Sequence, residues 1–124
     1  DIRGGAGQLI VVCGCGGDRD STKRSEMGSI ASREADIAVF TSDNPRTEDP
    51  EAILDQIVAG VEAGRQTLCI TDRRQAIRTA VMLAKAGDIL LVAGKGHEDY
   101  QHIKDEKIPF DEREIVRTAL DKKR

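Results

Sequence analysis

Tryptophan is absent from these 124 residues, and Phe40, Tyr100 and Phe110 are the only aromatic side chains. The core must therefore be built from the abundant Ala, Val, Ile and Leu, which suits a sheet covered by helices. Cysteine is also scarce. Cys13, Cys15 and Cys69 are odd in number and two of them lie in apolar strand runs, which argues against structural disulfides and predicts reduced, mostly buried thiols. Cys13 and Cys15 have no second Cys or His pair at a spacing that completes a four-ligand zinc site, so no metal is expected. No run approaches the ~20 apolar residues of a membrane span, and the first residues lack a basic-then-apolar signal pattern. A cytoplasmic protein with no membrane partner is expected. Nor is there an excess of one charge: 19 basic residues face 22 acidic ones for a net −3, which gives no reason to expect a nucleic-acid partner and makes any basic site local. The length is that of one domain.

What is present is a rhythm of four short apolar runs: Leu9 to Cys13, Ile37 to Thr41, Thr67 to Thr71 and Ile89 to Ala93. They are continuous rather than alternating, as expected of parallel strands covered on both faces. Helical patterns separate them. Ile53, Leu54, Ile57, Val58 and Val61 form one apolar stripe, with Asp49 as N-cap, Pro50 in the first helical position and Gly64 as the stop. Asp72 with Gln75 predicts a capping box opening a helix that turns Ile77, Ala80, Val81 and Ala84 inward and closes at Gly87. A weaker helix carries Met27, Ile30 and Ala31. Tyr100 to Lys104 and Lys107 to Phe110 flank Asp105-Glu106 as a hairpin or a pair of short strands. A last helix is capped by Asp111, with Glu114 three residues on, and runs through Ile115, Val116, Ala119 and Leu120 to a basic end. Alternating strands and helices predict an α/β domain with right-handed crossovers. Residues 1–7 are Gly-rich and read as a linker remnant, leaving 8–124 as the domain.

In a parallel sheet the loops that follow the strands share one edge, where ligands bind. Asp43-Asn44-Pro45-Arg46 sets an acid, an amide, a rigid turn and a guanidinium directly after an apolar strand, and such groups can hold an amino acid. The loop after the first strand contains Gly14-Cys15-Gly16-Gly17-Asp18-Arg19-Asp20, and that after the fourth contains Gly94-Lys95-Gly96-His97-Glu98-Asp99. Arg19 and Arg46 suit carboxylates, while Asp43 and Glu98 suit an ammonium, so together the loops fit a zwitterion. Plainer readings stand beside these. Asn-Pro is an ordinary turn signal, and Gly14 to Gly17 matches neither Gly-x-Gly-x-x-Gly in register nor a Walker A frame, so a plain turn is the expectation there. Lys23-Arg24 reads as a solvated charge pair. His97 and His102 read as surface or hydrogen-bonded residues rather than metal ligands.

Taken together, Gly14 to Asp20, Thr41-Ser42-Asp43-Asn44-Pro45-Arg46 and Ala93-Gly94-Lys95-Gly96-His97-Glu98-Asp99-Tyr100-Gln101 resemble the C-terminal domain of the bacterial Mur ligases. The resemblance runs from about Leu9 to Leu120, with the three motifs in order. Two departures stand out: Ser25-Glu26 follows Lys23-Arg24 where the family usually has a proline, and Cys13 stands where an aromatic is common.

The resemblance implies a Rossmann-like fold and an ATP-dependent amide ligase of cell-wall precursor synthesis. In that chemistry ATP phosphorylates the terminal carboxylate of a UDP-linked muramoyl dipeptide, and the amine of meso-diaminopimelate attacks. By motif, Arg19 and Arg46 would bind the amino acid's carboxylates and Asp43 and Asn44 its distal polar end. Pro45 would fix the turn, and Gly94 and Glu98 would complete the pocket. The Asp-Asn-Pro-Arg form resembles the diaminopimelate-specific members rather than the lysine-adding ones. ATP and Mg2+ would be held mainly by a central domain that this chain lacks, so the chain alone is expected to be inactive. A stand-alone amino-acid or nucleotide-binding regulatory module is the alternative, as is the corresponding domain of a lysine-adding ligase.

Overall fold

The structure, a computed structural model, describes residues 7–18, 20–93, 100–104 and 106–123. Its elements in order are β1 (Leu9–Cys13), α1 (Arg24–Glu34), β2 (Ile37–Phe40), α2 (Pro50–Val58), β3 (Thr67–Cys69), α3 (Arg73–Leu83), β4 (Ile89–Val92), β5 (Tyr100–Ile103), β6 (Glu106–Pro109) and α4 (Glu112–Lys123). The first four strands form a parallel sheet in the order β3-β2-β1-β4, with Val12 of β1 beside both Val39 and Val92. Strand order reverses at β1. The α/β architecture and the C-terminal hairpin of the sequence reading are both present.

Successive side chains of a strand point to opposite faces, so a continuously apolar strand needs cover on both. On one face Ile10, Val12 and Val39 pack against Ala76, Ile77, Ala80 and Val81 of α3 and Ile115 and Ala119 of α4. On the other Cys13, Ala38 and Phe40 meet Ile53, Leu54 and Ile57 of α2, with Met27 and Ala31 of α1 alongside. Gly28 lets α1 approach α2 closely, since a Cβ there would run into the Ile57 carbonyl. Three helices start on side-chain caps. Asp49 Oδ1 accepts from Glu51 N at 2.9 Å, Asp72 Oδ1 from Arg74 N at 2.9 Å and Asp111 Oδ1 from Glu114 N at 3.2 Å. Each such cap contributes about 1 kcal/mol.

Several details depart from the sequence reading. β3 and β4 are the edges of this sheet, so Leu68 and Leu91 are exposed rather than covered on both faces. Cys69, on the same edge as Leu68, is exposed, whereas Cys13 is buried and Cys15 half-buried. Ile30 also faces outward, because α1 buries the side that carries Gly28 and Ser32, with Gly28 against Ile57 of α2. α2 ends at Val58 and α3 at Leu83, with Ala59 and Ala84 as their C-caps. Gly64 and Gly87, at φ +87° and +91°, belong to the following turns.

The antiparallel hairpin pairs Tyr100 with Pro109 and Ile103 with Glu106. It attaches to the carboxyl edge of the sheet through a bridge between Ile103 and Arg46, in which Lys104 N donates to Arg46 O at 2.6 Å.

Candidate functional site

The loops after β1 and β2 are stitched into one surface at the carboxyl edge. Gly17 N donates to Asn44 O at 2.7 Å, and Arg46 Nη1 donates back to Gly17 O at 2.9 Å and to Asn44 O at 3.3 Å. Asp18 N donates to Glu48 Oε2 at 2.5 Å, and the Asp18 carboxylate accepts from Thr47 N at 3.2 Å and from Thr47 Oγ1 at 2.5 Å. The backbones touch at Gly17, where a Cβ would collide with the Pro45 carbonyl. Asp18 and Arg46 both hold left-handed backbone, at φ +55° and +53°. Such non-glycine geometry persists only where surrounding bonds over-determine it.

Within the four-residue turn, Asn44 is 3% exposed and Pro45 is fully buried, so the middle of the loop belongs to the interior. Asp43 and Arg46 are half-buried at its rim. Gln101 of β5 braces the turn, its Nε2 donating to Asp43 O at 2.7 Å and to Ser42 Oγ at 3.3 Å. The sequence-expected residues Asp43, Asn44, Pro45 and Arg46 are thus brought together against the first loop. Arg19, Gly94 and Glu98 lie outside the described residues.

Two further arginines hold this edge, and neither was expected to. Arg24, read from sequence as half of a solvated pair, is 2% exposed. It grips Glu48 with both terminal nitrogens, Nη1 to Oε1 at 3.1 Å and Nη2 to Oε2 at 2.9 Å, and also donates to Gly16 O and Gln56 Oε1. Arg73, 1% exposed, donates to Glu112, Ser42 O and Ala93 O. Each is the first residue of a helix, where a cation opposes the positive end of the helix dipole. In an α/β sheet that end lies at the carboxyl edge, so the side chain folds back onto loop carbonyls. That unfavourable placement was the one signal available in the sequence.

The charges respond to these contacts. The Arg24 guanidinium, followed by the Asp18 amide, holds the Glu48 carboxyl below its ordinary 4.5. Burial pushes the Cys13 thiol up to about 11, with Cys15 adding to the rise and Arg73 opposing it. Burial likewise raises Cys15. These thiols are poor nucleophiles. The glycine loop also differs from a phosphate cradle: the Gly17 and Asp18 amides already donate to Asn44 O and Glu48. Among the described residues no group of three or more His, Cys, Asp and Glu is placed to hold a metal, and no helix is long and apolar enough to cross a membrane.

Comparison with known proteins supplies the context for this edge. The chain is 58% identical over 118 residues to a UDP-N-acetylmuramoyl-L-alanyl-D-glutamate--2,6-diaminopimelate ligase from Gloeobacter violaceus, which covers 95% of this chain and 24% of that protein. It is 54% identical over 114 residues to the protein of the same name from Clostridium botulinum, covering 92% and 23%. A solved structure described as that ligase superposes with a TM-score of 0.89 at 47% identity, over 94% of this chain and 24% of the other. The chain therefore spans about a quarter of the length of the relatives it matches. Residues 1–96 match the family described as "Mur ligase, glutamate ligase domain", and the chain belongs to the Mur ligase family.

Proposed function

We propose that this chain is the amino-acid-presenting C-terminal domain of an ATP-dependent ligase that adds meso-diaminopimelate to UDP-N-acetylmuramoyl-L-alanyl-D-glutamate. The observation that carries the reading is the rim of the Asp-Asn-Pro-Arg turn. Half-buried Asp43 and Arg46 flank a buried, cross-braced Asn44-Pro45, which supports a reading in which an acid and a guanidinium meet the ligand at the carboxyl edge of the sheet. The names of the relatives agree with that chemistry. In the proposed pocket Arg19 and Arg46 bind carboxylates and Asp43 and Asn44 take the distal polar end, with Gly94 and Glu98 assigned to the same ligand by motif.

The domain's contribution is positional. Holding an amine in line with an activated carboxyl group supplies several kcal/mol of acceleration, on the order of the ~7–11 kcal/mol available from orientation alone. Nothing among the described residues supports a site for ATP and Mg2+: the Gly17 and Asp18 amides are already bonded, and no metal-holding cluster stands among those residues. ATP and Mg2+ are assigned to the remainder of a longer ligase, and the chain alone is expected neither to hydrolyse ATP nor to ligate.

The test is ATP-dependent phosphate release and product formation by the full-length ligase carrying this domain, offered meso-diaminopimelate or L-lysine with the UDP-linked dipeptide. Strong preference for meso-diaminopimelate is expected. Equal use of L-lysine, or no use of either, contradicts the reading.

A further inference from the structure

Arg73 is buried at the first turn of α3, and each of its three guanidinium nitrogens has a partner. Nε donates to Glu112 Oε2 of α4 at 2.8 Å, Nη2 to Ala93 O at 3.0 Å and Nη1 to Ser42 O at 3.3 Å. The two carbonyls define its place in the fold. Ser42 immediately precedes Asp43 in the β2 loop, and Ala93 immediately follows the end of β4. β2 and β4 do not touch each other; β1 lies between them. One planar group thus ties the strand ends on both sides of the central strand, near the point where strand order reverses and open sheets bind ligands.

We propose that Arg73 is a positioning residue for the amino-acid substrate, setting the Asp43–Arg46 turn against the end of β4, with Glu112 as its counter-charge. This rests on the function proposed above. A guanidinium is rigid, and its donors diverge at fixed angles, so it defines a separation that a lysine ammonium on a flexible stem does not. The carbonyl of Ser42 is one residue from the carboxylate assigned to the substrate, and Gln101 donates to Ser42 Oγ and Asp43 O. The turn is therefore held by both Arg73 and Gln101. Glu112, 39 residues away from Arg73, is only 16% exposed at its side chain, so the pair is shielded from bulk screening.

The experiment is steady-state kinetics of the full-length ligase with Arg73→Lys and Glu112→Gln, varying each substrate in turn. Misplacing reacting groups by about 1 Å costs about a hundred-fold in rate, and a displaced turn also binds the amino acid less well, so Arg73→Lys is expected to lower kcat/KM for meso-diaminopimelate about ten-fold or more, with KM for that substrate rising. KM for ATP and for the UDP-linked dipeptide should stay near the parental values. Glu112→Gln keeps an acceptor for Nε and removes the charge; a smaller rise confined to the same substrate is expected. If KM for all three substrates rises together, or only the active fraction falls, Arg73 serves stability and the proposal is overturned. Should Arg73→Lys fail to fold, the Glu112→Gln split decides by the same criterion. A parent enzyme that ligates L-lysine in place of meso-diaminopimelate contradicts the proposed function alone, and the Arg73 test is then read on KM for L-lysine.

Discussion

Arg46 Nη1 donates to the carbonyl oxygens of Gly17 and Asn44, so the last residue of the Asp-Asn-Pro-Arg turn binds the preceding loop as well as its own. A guanidinium has five donors. Nη1 uses its two hydrogens here, and Nε and Nη2 make no hydrogen bond among the described residues. The same side chain can brace the loops and still turn a fork toward a carboxylate.

Its backbone gives a first prediction. Left-handed geometry disfavours an L-residue by roughly 1–2 kcal/mol, and Arg46 sits at φ +53°. Arg46→Gly and Arg46→Ala lose the same side-chain bonds, yet the glycine variant escapes the Cβ penalty. Urea unfolding should place Arg46→Gly above Arg46→Ala by about 1 kcal/mol. The opposite order would show that the turn relaxes to another conformation once the guanidinium is gone.

Gly17→Ala tests the contact between the two loops. The added methyl meets the Pro45 carbonyl, a backbone atom that cannot swing aside. Overpacking of this kind typically costs about 1–3 kcal/mol, so a lower melting temperature is expected. Weaker amino-acid use in the full-length ligase should accompany it. A variant as stable as the parent would mean that the loops separate freely.

The order of elements was legible in the sequence because parallel strands buried on both faces leave continuous runs such as Leu9 to Cys13, and because Asp49, Asp72 and Asp111 announce helix starts. Position within the sheet was not legible. The run around Leu68 reads like that around Val39, yet one lies at the edge and the other is fully buried. Burial of Arg24 and Arg73 was hidden as well. Arginine is ordinarily exposed, and their partners Glu48 and Glu112 stand 24 and 39 residues away, closed only by the crossovers. Asp43 to Arg46 were visible because four unlike chemistries fall in one loop; the braces Glu48 and Gln101 carry no local signal.

Glu48 makes stability depend on acid. Its folded pKa is depressed, by Arg24 first and by the Asp18 amide second, so its contribution is present above the ordinary value of 4.5 and is lost as pH falls through the lower folded value. Glu48→Gln should therefore be less stable than the parent at pH 7, with the gap shrinking below about pH 4. Thermal unfolding of both proteins across that range measures it. A gap independent of pH would remove the charge from the explanation.

The three thiols should separate by access. Cys69 is exposed on β3, while Cys13 is buried with its pKa near 11. Under native conditions near pH 8, a thiol reagent should modify Cys69 first, and Cys69→Ser should abolish that fast phase. Cys13 should react only on unfolding. Rapid native labelling of Cys13 would contradict the packing of β1 against α2.

The central claim, that the Asp43–Arg46 turn reads meso-diaminopimelate, is tested most directly by kcat/KM of Arg46→Ala in the full-length ligase with meso-diaminopimelate and with L-lysine. The two amines differ by one carboxylate, the group a guanidinium fork binds in two hydrogen bonds. Removing one member of a desolvated pair costs about 2–5 kcal/mol, so use of meso-diaminopimelate should fall roughly thirty-fold or more. L-lysine should suffer only the smaller loss from the missing bonds to Gly17 and Asn44. Equal losses for both amines would contradict the account and leave Arg46 as a brace between loops.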